Sequence, residues 1–432
     1  MKRKMTILGA VLAVLLLAGC SVRTVNEMYR LPKRSEAYND LQKAIDGAMV
    51  GLEYSAPVSG EYRQTVQMAD LDGDGVQEYL LFAKGGSEHP LKILLFKEQD
   101  KAYRHIHTIE CDGIAFDQVH YVQMDEKNGV ELVLGRRLDE QMLRVVSVYS
   151  FSEGEQEQVA SVNYSKLITS DLDGDGTAEL FVISPGQNEQ EKGTAQLFKL
   201  RDGTAEKSAA IHLSEPIGNL RRVAAGTLFG GQTAIYVTSS VRETAIVIDV
   251  LTLMGGQLRN VALPDGSEIG APMIRNFGVF PDDIDGDGET ELPSLITPES
   301  AEGMGKREHY DLIRWYTMTP EGGEVDKLFT FHNFDGGWYL ELDSSLAEHC
   351  SVQRDGNLFR VCAEQDNLLE ITAIPNSQWE AAESEDSIPL EKTEAMVYVA
   401  TLGEKAEKYG VTEKSVLNAF HLISPDWKTG DA

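Results

Sequence analysis

Three observations in this sequence predict a mainly β chain, folded as a β-propeller of about five four-stranded blades with an N-terminal helix and a small C-terminal α+β domain. A nine-residue acidic pattern recurs three times, its copies begin 101 and 112 residues apart, and short extended-type stretches bounded by turn signals run between them. That spacing is about twice the 40–50 residues of a four-stranded blade, so one further blade belongs between each pair of copies. The chain has 432 residues, more than one ordinary core of about 100–150 residues organises. With 42% hydrophobic and 25% charged residues it has the composition of folded protein. Acidic residues number 69 against 39 basic ones, a formal charge of −30 that repels a phosphate backbone and argues against a nucleic-acid partner.

The first element is a targeting segment. Lys2, Arg3 and Lys4 precede an apolar run from Ile7 to Ala18 that is too short for the roughly 20 residues a membrane-spanning helix needs, the pattern of an export signal. The run ends in Leu17-Ala18-Gly19-Cys20, which resembles the lipobox of bacterial lipoproteins. The resemblance implies that residues 1–19 are a lipoprotein signal peptide and that Cys20 becomes the first residue, carrying diacylglycerol and palmitate chains. Two or more acyl chains hold a protein firmly where one does not. The expected location is therefore the bacterial membrane or cell surface, lipid-anchored and extracytoplasmic, with residues 20–59 as tether and helix. In that helix Leu41, Ile45, Ala48, Met49 and Leu52 recur at helical spacing behind Ser35, a favourable N-cap.

The repeats occupy residues 60–332. In the first unit the strand-like stretches are 64–69, 78–84, 91–97 and 103–109. The acidic copies are Asp70-Leu71-Asp72-Gly73-Asp74-Gly75-Val76-Gln77-Glu78, Asp171-Leu172-Asp173-Gly174-Asp175-Gly176-Thr177-Ala178-Glu179 and Asp283-Ile284-Asp285-Gly286-Asp287-Gly288-Glu289-Thr290-Glu291. Carboxylates at positions 1, 3, 5 and 9 converge only if the backbone curls sharply, which the two glycines permit, and the carbonyl of position 7 (Val76, Thr177, Glu289) adds a neutral oxygen. Oxygen ligands on a flexible loop, without His or Cys, predict Ca²⁺ rather than Mg²⁺ or a transition metal. An EF-hand would need a bidentate Glu at position 12, where Leu81, Val182 and Ser294 stand. The segments that follow each loop read as strands, not as an exiting helix. Residues 121–134 and 224–237 read as degenerate copies that have lost the acid cage.

These loops resemble the calcium loops of FG-GAP and VCBS repeats, found in integrin-type and bacterial surface β-propellers. The resemblance covers roughly 270 residues and implies that the residues at positions 1, 3, 5 and 9 bind calcium between the first two strands of a blade. It implies no reaction.

Residues 333–432 lose the acidic repeat. They show strand-like stretches at 338–342, 349–353, 358–363, 368–373 and 396–401, then helical signals from 403, with Thr412 capping a segment whose Val416, Leu417, Phe420 and Ile423 share one face. A small α+β domain is expected, with a sixth blade as its rival; the acidic stretch from Glu380 to Glu385 reads as an exposed loop. Cys350 and Cys362 flank the turn signal Asp355-Gly356-Asn357, and a three-residue loop there would place them opposite one another for a disulfide. A buried pair of thiols is the other reading, and Cys111 is left over. His105 and His107 share a strand face but lack a third ligand at readable spacing, and three of the four tryptophans are expected in the core.

No G-x-S-x-G elbow, H-E-x-x-H helix, Walker loop or C-x-x-C pair occurs in the sequence. The expected function is that of a surface-anchored, calcium-binding, non-enzymatic binding or scaffold module for an extracellular protein or glycan. A polysaccharide-acting hydrolase or lyase in the propeller funnel is the alternative, and a calcium sensor a third. The lipidation reading makes a direct prediction: cells fed labelled palmitate incorporate it into this protein, and the Cys20→Ser variant carries no label and is released from the membrane fraction.

Overall fold

The computed structural model describes residues 36–423, apart from 87, 141–142, 153–154, 242–244, 264–270, 275–278, 297–309 and 365. The export signal, Cys20, Ser35 and Trp427 lie outside the described residues. The chain is mainly β, and its described part divides into two compact units, one of residues 36–56, 64–69 and 76–112, the other of 57–63, 70–75 and 113–423.

In the first unit, the helix Glu36–Ala48 precedes an antiparallel sheet whose strands run Glu53–Tyr54, Glu78–Lys84, Leu91–Gln99, Ala102–Cys111, with Val66–Ala69 paired along the same edge of Glu78–Lys84. The two central strands read Glu-Tyr-Leu-Leu-Phe-Ala-Lys and Leu-Lys-Ile-Leu-Leu-Phe-Lys-Glu-Gln, nearly continuous apolar runs suited to burial on both faces. The helix lays Leu41 and Ile45, flanked by Ala44, Ala48, Met49 and Leu52, on Leu81, Leu94 and Phe96. Leu41, Ile45 and Ala48 are helical positions expected from spacing, while Met49 and Leu52, expected on the same helix, pack there from beyond its end.

The second unit holds five more sheets in chain order, each an antiparallel meander at its core. The second sheet is Ala115–Val122, Glu131–Arg137, Arg144–Ser152 and Glu155–Tyr164; the third is Lys166–Ser170, Glu179–Ser184, Lys192–Arg201 and Thr204–Pro216. The fourth is Leu220–Thr227, Thr233–Val241, Ala245–Met254 and Gln257–Asn260, with Ala271–Ile274 added on Ala245–Met254. The fifth is Leu292–Ile296, Leu312–Met318, Glu324–Asn333 and Trp338–Leu342, completed by Phe420–Leu422. The sixth is Cys350–Asp355, Leu358–Ala363, Asp366–Pro375, Met396–Leu402 and Ile388–Lys392.

Strand periodicity explains how these sheets stack. In Glu179–Ser184, Leu180 and Val182 join Val133, Val146 and Val148 of the second sheet, whereas Phe181 and Ile183 join Ile235, Val237 and Leu251 of the fourth. One strand thus feeds two cores. Tyr236, Ile248 and Val250 continue the stack to Leu292 and Tyr316, and Leu312, Phe331 and Trp338 carry it to Val352, Phe359 and Ile371 of the sixth sheet. Trp315 and Trp338 are buried and Trp379 is half-buried, so the described tryptophans include two core residues where three of four were expected.

One domain boundary is corrected. The boundary at 332 falls inside the strand Glu324–Asn333, and the fifth sheet continues through Trp338–Leu342 to the late strand Phe420–Leu422, where Leu340 faces Phe420. The segment expected as an α+β domain, with a sixth blade as its rival, builds a sixth sheet together with the short helices Ser344–Ala347, Asn376–Ala382 and Glu413–Ala419. This sheet lacks the acidic loop but keeps the two-residue apolar alternation, in Cys350 and Val352, in Phe359, Val361 and Ala363, and in Leu369 and Ile371. Thr412 does cap the last helix, in a capping box with Ser415, but Glu380 lies in a helix rather than a loop.

The disulfide does not form. The turn has two residues, Gly356 with φ +63° and Asn357, so Asp355 pairs with Leu358 and Cys350 falls opposite Ala363 while Ser351 faces Cys362. A register slip of one residue puts the two sulfurs on opposite faces of the hairpin. Cys111, Cys350 and Cys362 are in no disulfide, and burial pushes the Cys350 thiol up to about 12.

His332 supplies a test of the fifth sheet. Its ring stacks on Tyr339 at 4.9 Å, its Nε2 lies 2.8 Å from Thr330 Oγ1, and burial holds its pKa down at about 3. Below about pH 6.5 the unfolded chain takes up a proton there that the folded chain refuses down to pH 3. Stability therefore falls on acidification across that window, by up to about 1.4 kcal/mol per pH unit for this proton. His332→Phe, which keeps an aromatic ring against Tyr339, is expected to flatten that slope in urea-unfolding midpoints measured from pH 7 to pH 4.

Candidate metal centres

The second acidic loop links Lys166–Ser170 to Glu179–Ser184, closed by the pair Ser170 and Glu179. Gly174 and Gly176 sit at φ +74° and +91°, where a side chain would be strained, and they let the chain curl back on Asp171. Asp171 Oδ1 accepts the Gly174 N–H at 2.7 Å and its Oδ2 accepts the Gly176 N–H at 2.9 Å. Asp173 Oδ1 accepts the Asp175 N–H at 3.3 Å, and Asp175 Oδ1 accepts the N–H and hydroxyl of Thr177 at 2.9 and 2.6 Å. Glu179 Oε2 accepts the Leu172 N–H at 2.7 Å. The backbone thus fixes every carboxylate, and Asp171, Asp173, Asp175 and Glu179 each direct an oxygen into a group whose members lie within 4.8 Å of one another.

The third loop repeats this frame ahead of Leu292–Ile296, where Asp282 and Glu291 form an isolated antiparallel bridge. Gly286 and Gly288 take φ +74° and +89°, Asp283 Oδ2 accepts the Gly288 N–H at 3.0 Å, Asp285 Oδ1 accepts the Asp287 N–H at 3.1 Å, and Glu291 Oε2 accepts the Ile284 N–H at 3.1 Å. Asp283, Asp285 and Glu291 converge within 4.8 Å, while Asp287 is turned to a lysine. Glu289, named for its carbonyl at position 7, also offers its carboxylate to that lysine at 2.8 Å. Leu172 and Ile284, at position 2, are buried and pin each loop to the core.

The first loop has the same local turns: Asp70 Oδ2 accepts the Gly75 N–H at 3.0 Å and Asp72 Oδ1 accepts the Asp74 N–H at 3.3 Å. Residues 70–75 belong to the second unit, whereas Val76 and Glu78 belong to the first. There Glu78 is buried and its Oε1 lies 2.6 Å from Lys97 Nζ.

Lysines are the functional residues the sequence reading missed. Lys199 contacts Asp173, reaches Asp175 Oδ2 at 3.2 Å and Glu179 Oε1 at 2.9 Å, while Lys327 contacts Asp287 and Glu289. Burial pulls the Lys199 ammonium down, but its pairs with Asp173 and Glu179 outweigh this and raise its pKa. The signal was present as a repeated Leu-Phe-Lys triplet, Leu95-Phe96-Lys97 and Leu197-Phe198-Lys199, on the strand after each loop hairpin. In the fifth sheet Thr317 follows Tyr316 at that register, and Lys327 comes instead from a bulge in the neighbouring strand.

Glu291 is different. Its side chain is fully buried, Oε1 has no hydrogen-bond partner, and burial, with Asp285 and Asp287 nearby, holds its pKa up at about 7. Burial likewise raises Asp285 and Glu179, whereas the Thr177 hydroxyl holds Asp175 down at about 2.

The degenerate hairpins confirm which parts are frame and which are cage. In the second sheet Glu131 Oε2 accepts the Met124 N–H at 2.8 Å and Asp125 Oδ1 accepts the Lys127 N–H at 2.9 Å, the same two bonds as in the acidic loops. Lys127, however, stands at position 5, with its Nζ 3.4 Å from Asp125. The fourth sheet turns through Gly230 and Gly231 with no acid. His105 bonds Thr108 at 2.8 Å, and no group of His or Cys able to hold a metal is found among the described residues.

No family model matches the chain, and no curated protein matches it. Solved structures similar to it include a Lactobacillus plantarum protein (11% identity, 71% of this chain and 82% of that one, TM-score 0.30). Two others are the exotype rhamnogalacturonan lyase YesX (12%, 81% and 72%, 0.30) and a Bacillus licheniformis rhamnogalacturonan lyase (9%, 78% and 91%, 0.32). Similarity at these TM-scores does not bear on what this chain does.

The frame bond predicts a calcium-independent effect. Glu131→Ala removes a charged acceptor from a buried N–H and is expected to cost about 1.5–3 kcal/mol in urea unfolding, equally in calcium and in chelator.

Proposed function

We propose that this protein is a calcium-stabilised, propeller-like module, anchored outside the cytoplasm through lipid on Cys20, that acts by binding or scaffolding rather than by catalysis. The observation that carries the calcium reading is Glu291, a buried carboxylate whose Oε1 has no hydrogen-bond partner and joins oxygens of Asp283 and Asp285. A buried carboxylate either protonates or finds a cation, and an all-oxygen group on a glycine-hinged loop suits Ca²⁺. Thr177 and Glu289, at position 7, would contribute carbonyl oxygens, and Asp70, Asp72 and Asp74 repeat the pattern in the first loop. Lipid anchoring rests on the lipobox-like segment; among the described residues no helix is long and apolar enough to cross a membrane. Stacked sheets buried on both faces leave loops and edges as the surfaces for a partner, an extracellular protein or glycan, and the net charge of −30 disfavours nucleic acid.

Thermal unfolding of the purified protein in chelator, in millimolar Ca²⁺ and in millimolar Mg²⁺ tests this reading. Calcium is expected to raise the midpoint by about 2–5 °C and magnesium by less, with Asp285→Ala losing most of the calcium increment. Equal midpoints in all three conditions would overturn the calcium assignment.

A further inference from the structure

The three sheets that keep a position-9 glutamate within the second unit differ in where their lysine lies, and the difference orders their use of calcium. In the second sheet the ammonium is inside the loop, as Lys127 at position 5. In the third sheet it arrives from the neighbouring hairpin strand: Lys199 touches carboxylates at positions 3, 5 and 9, the set that a cation would need. In the fifth sheet Lys327 makes its ion pairs with Asp287 and Glu289, at positions 5 and 7, and Glu291 Oε1 has no hydrogen-bond partner.

We propose that Lys199 is a tethered cation that fills the second loop in the absence of calcium, so that the third loop takes calcium first and the second takes it only by displacing this ammonium. The inference rests on the calcium reading above. The displaced side chain has somewhere to go. Lys199 faces Glu206 directly across the strand pair, and both line an open polar cavity of about 470 Å³ that also holds Asp173, Arg201 and Lys207. Calcium entry then exchanges one ion pair for another: the ammonium leaves Asp173, Asp175 and Glu179 for Glu206, and the divalent ion supplies the two charges that the loop carboxylates need. The first unit's Lys97 lacks this exit, because its cross-strand partner is Arg104.

Calorimetric titration of the full protein with Ca²⁺ tests the exchange. Wild type is expected to show a tighter class lost in Glu291→Gln and a weaker class assignable to the second loop. Lys199→Met should tighten that weaker class about tenfold or more, since ligand charge sets affinity in such loops. Adding Asp173→Ala to Lys199→Met should abolish the tightened class, and Glu206→Gln should weaken the wild-type second class several-fold. Because Lys199→Met leaves the carboxylates unneutralised, its thermal midpoint should fall in chelator and recover in calcium, which separates the effect from misfolding. Calcium uptake with constants unchanged or weakened by Lys199→Met would overturn the tethered-cation inference and leave the calcium reading standing. No uptake by wild type or variant would overturn both.

Discussion

The bond from a position-9 glutamate to the backbone N–H of position 2 is the constraint on which the loops depend. Glu131 to Met124, Glu179 to Leu172 and Glu291 to Ile284 are the same contact on three sheets. It fixes one carboxylate oxygen on the frame and thereby dictates that the other points into the loop, out of solvent. The frame is thus independent of any ion, but it creates a buried oxygen whose charge must be answered. Burial raises the carboxyl pKa at Glu291 and, against the pull of Lys199, at Glu179 as well; a cation in the loop counters that burial. Structural role and ion chemistry therefore share one side chain.

Stacking explains why the chemistry sits where it does. The interior of a strand such as Glu179–Ser184 spends alternate side chains on two different cores, so only its first residue, Glu179, is left for a ligand. The polar positions able to act are those at hairpin turns and at the ends of strands, and the acidic loops occupy the turn between the first two strands of the third sheet and the entry to the fifth. The same double burial makes the hairpin geometry rigid, which a cage of four short carboxylates requires. A loop on a sheet with one solvated face would not be held so firmly.

Much of this was legible in the sequence, for identifiable reasons. The acidic pattern encodes its own turns, because glycines at positions 4 and 6 and aspartates at 1, 3 and 5 are the residues those backbone angles and N–H groups demand, and the strands after them announce themselves by apolar runs. The helix over residues 36–48 was legible because its apolar face repeats at 3.6 residues. Four strands of the sixth sheet were legible by their two-residue alternation, but its edge strand Ile388–Lys392 and the return of Phe420–Leu422 to the fifth sheet were not, since a short edge strand carries little pattern and a long-range pairing carries none. The Cys350–Cys362 pairing failed on a single residue of turn length, a quantity that Asp355-Gly356-Asn357 leaves open and that inverts every side chain beyond it.

The role of the lysines was harder to read, although the Leu-Phe-Lys triplet marks two of them, and for a different reason. A ligand set is local, contained in nine consecutive residues, whereas its counter-charge comes from a strand 26 residues on for Lys199 and Asp173 and 40 for Lys327 and Asp287, and depends on sheet register. In the fifth sheet it depends on a bulge as well: Tyr316 pairs with Asp326 and Trp315 with Leu328, so Lys327 is the unpaired residue between them and reaches the loop from a strand that would otherwise present it elsewhere. Three loops with nearly one sequence thus acquire different net charges from their surroundings. Loop identity sets which ion can bind, and the sheet around each loop sets how much that ion has to displace.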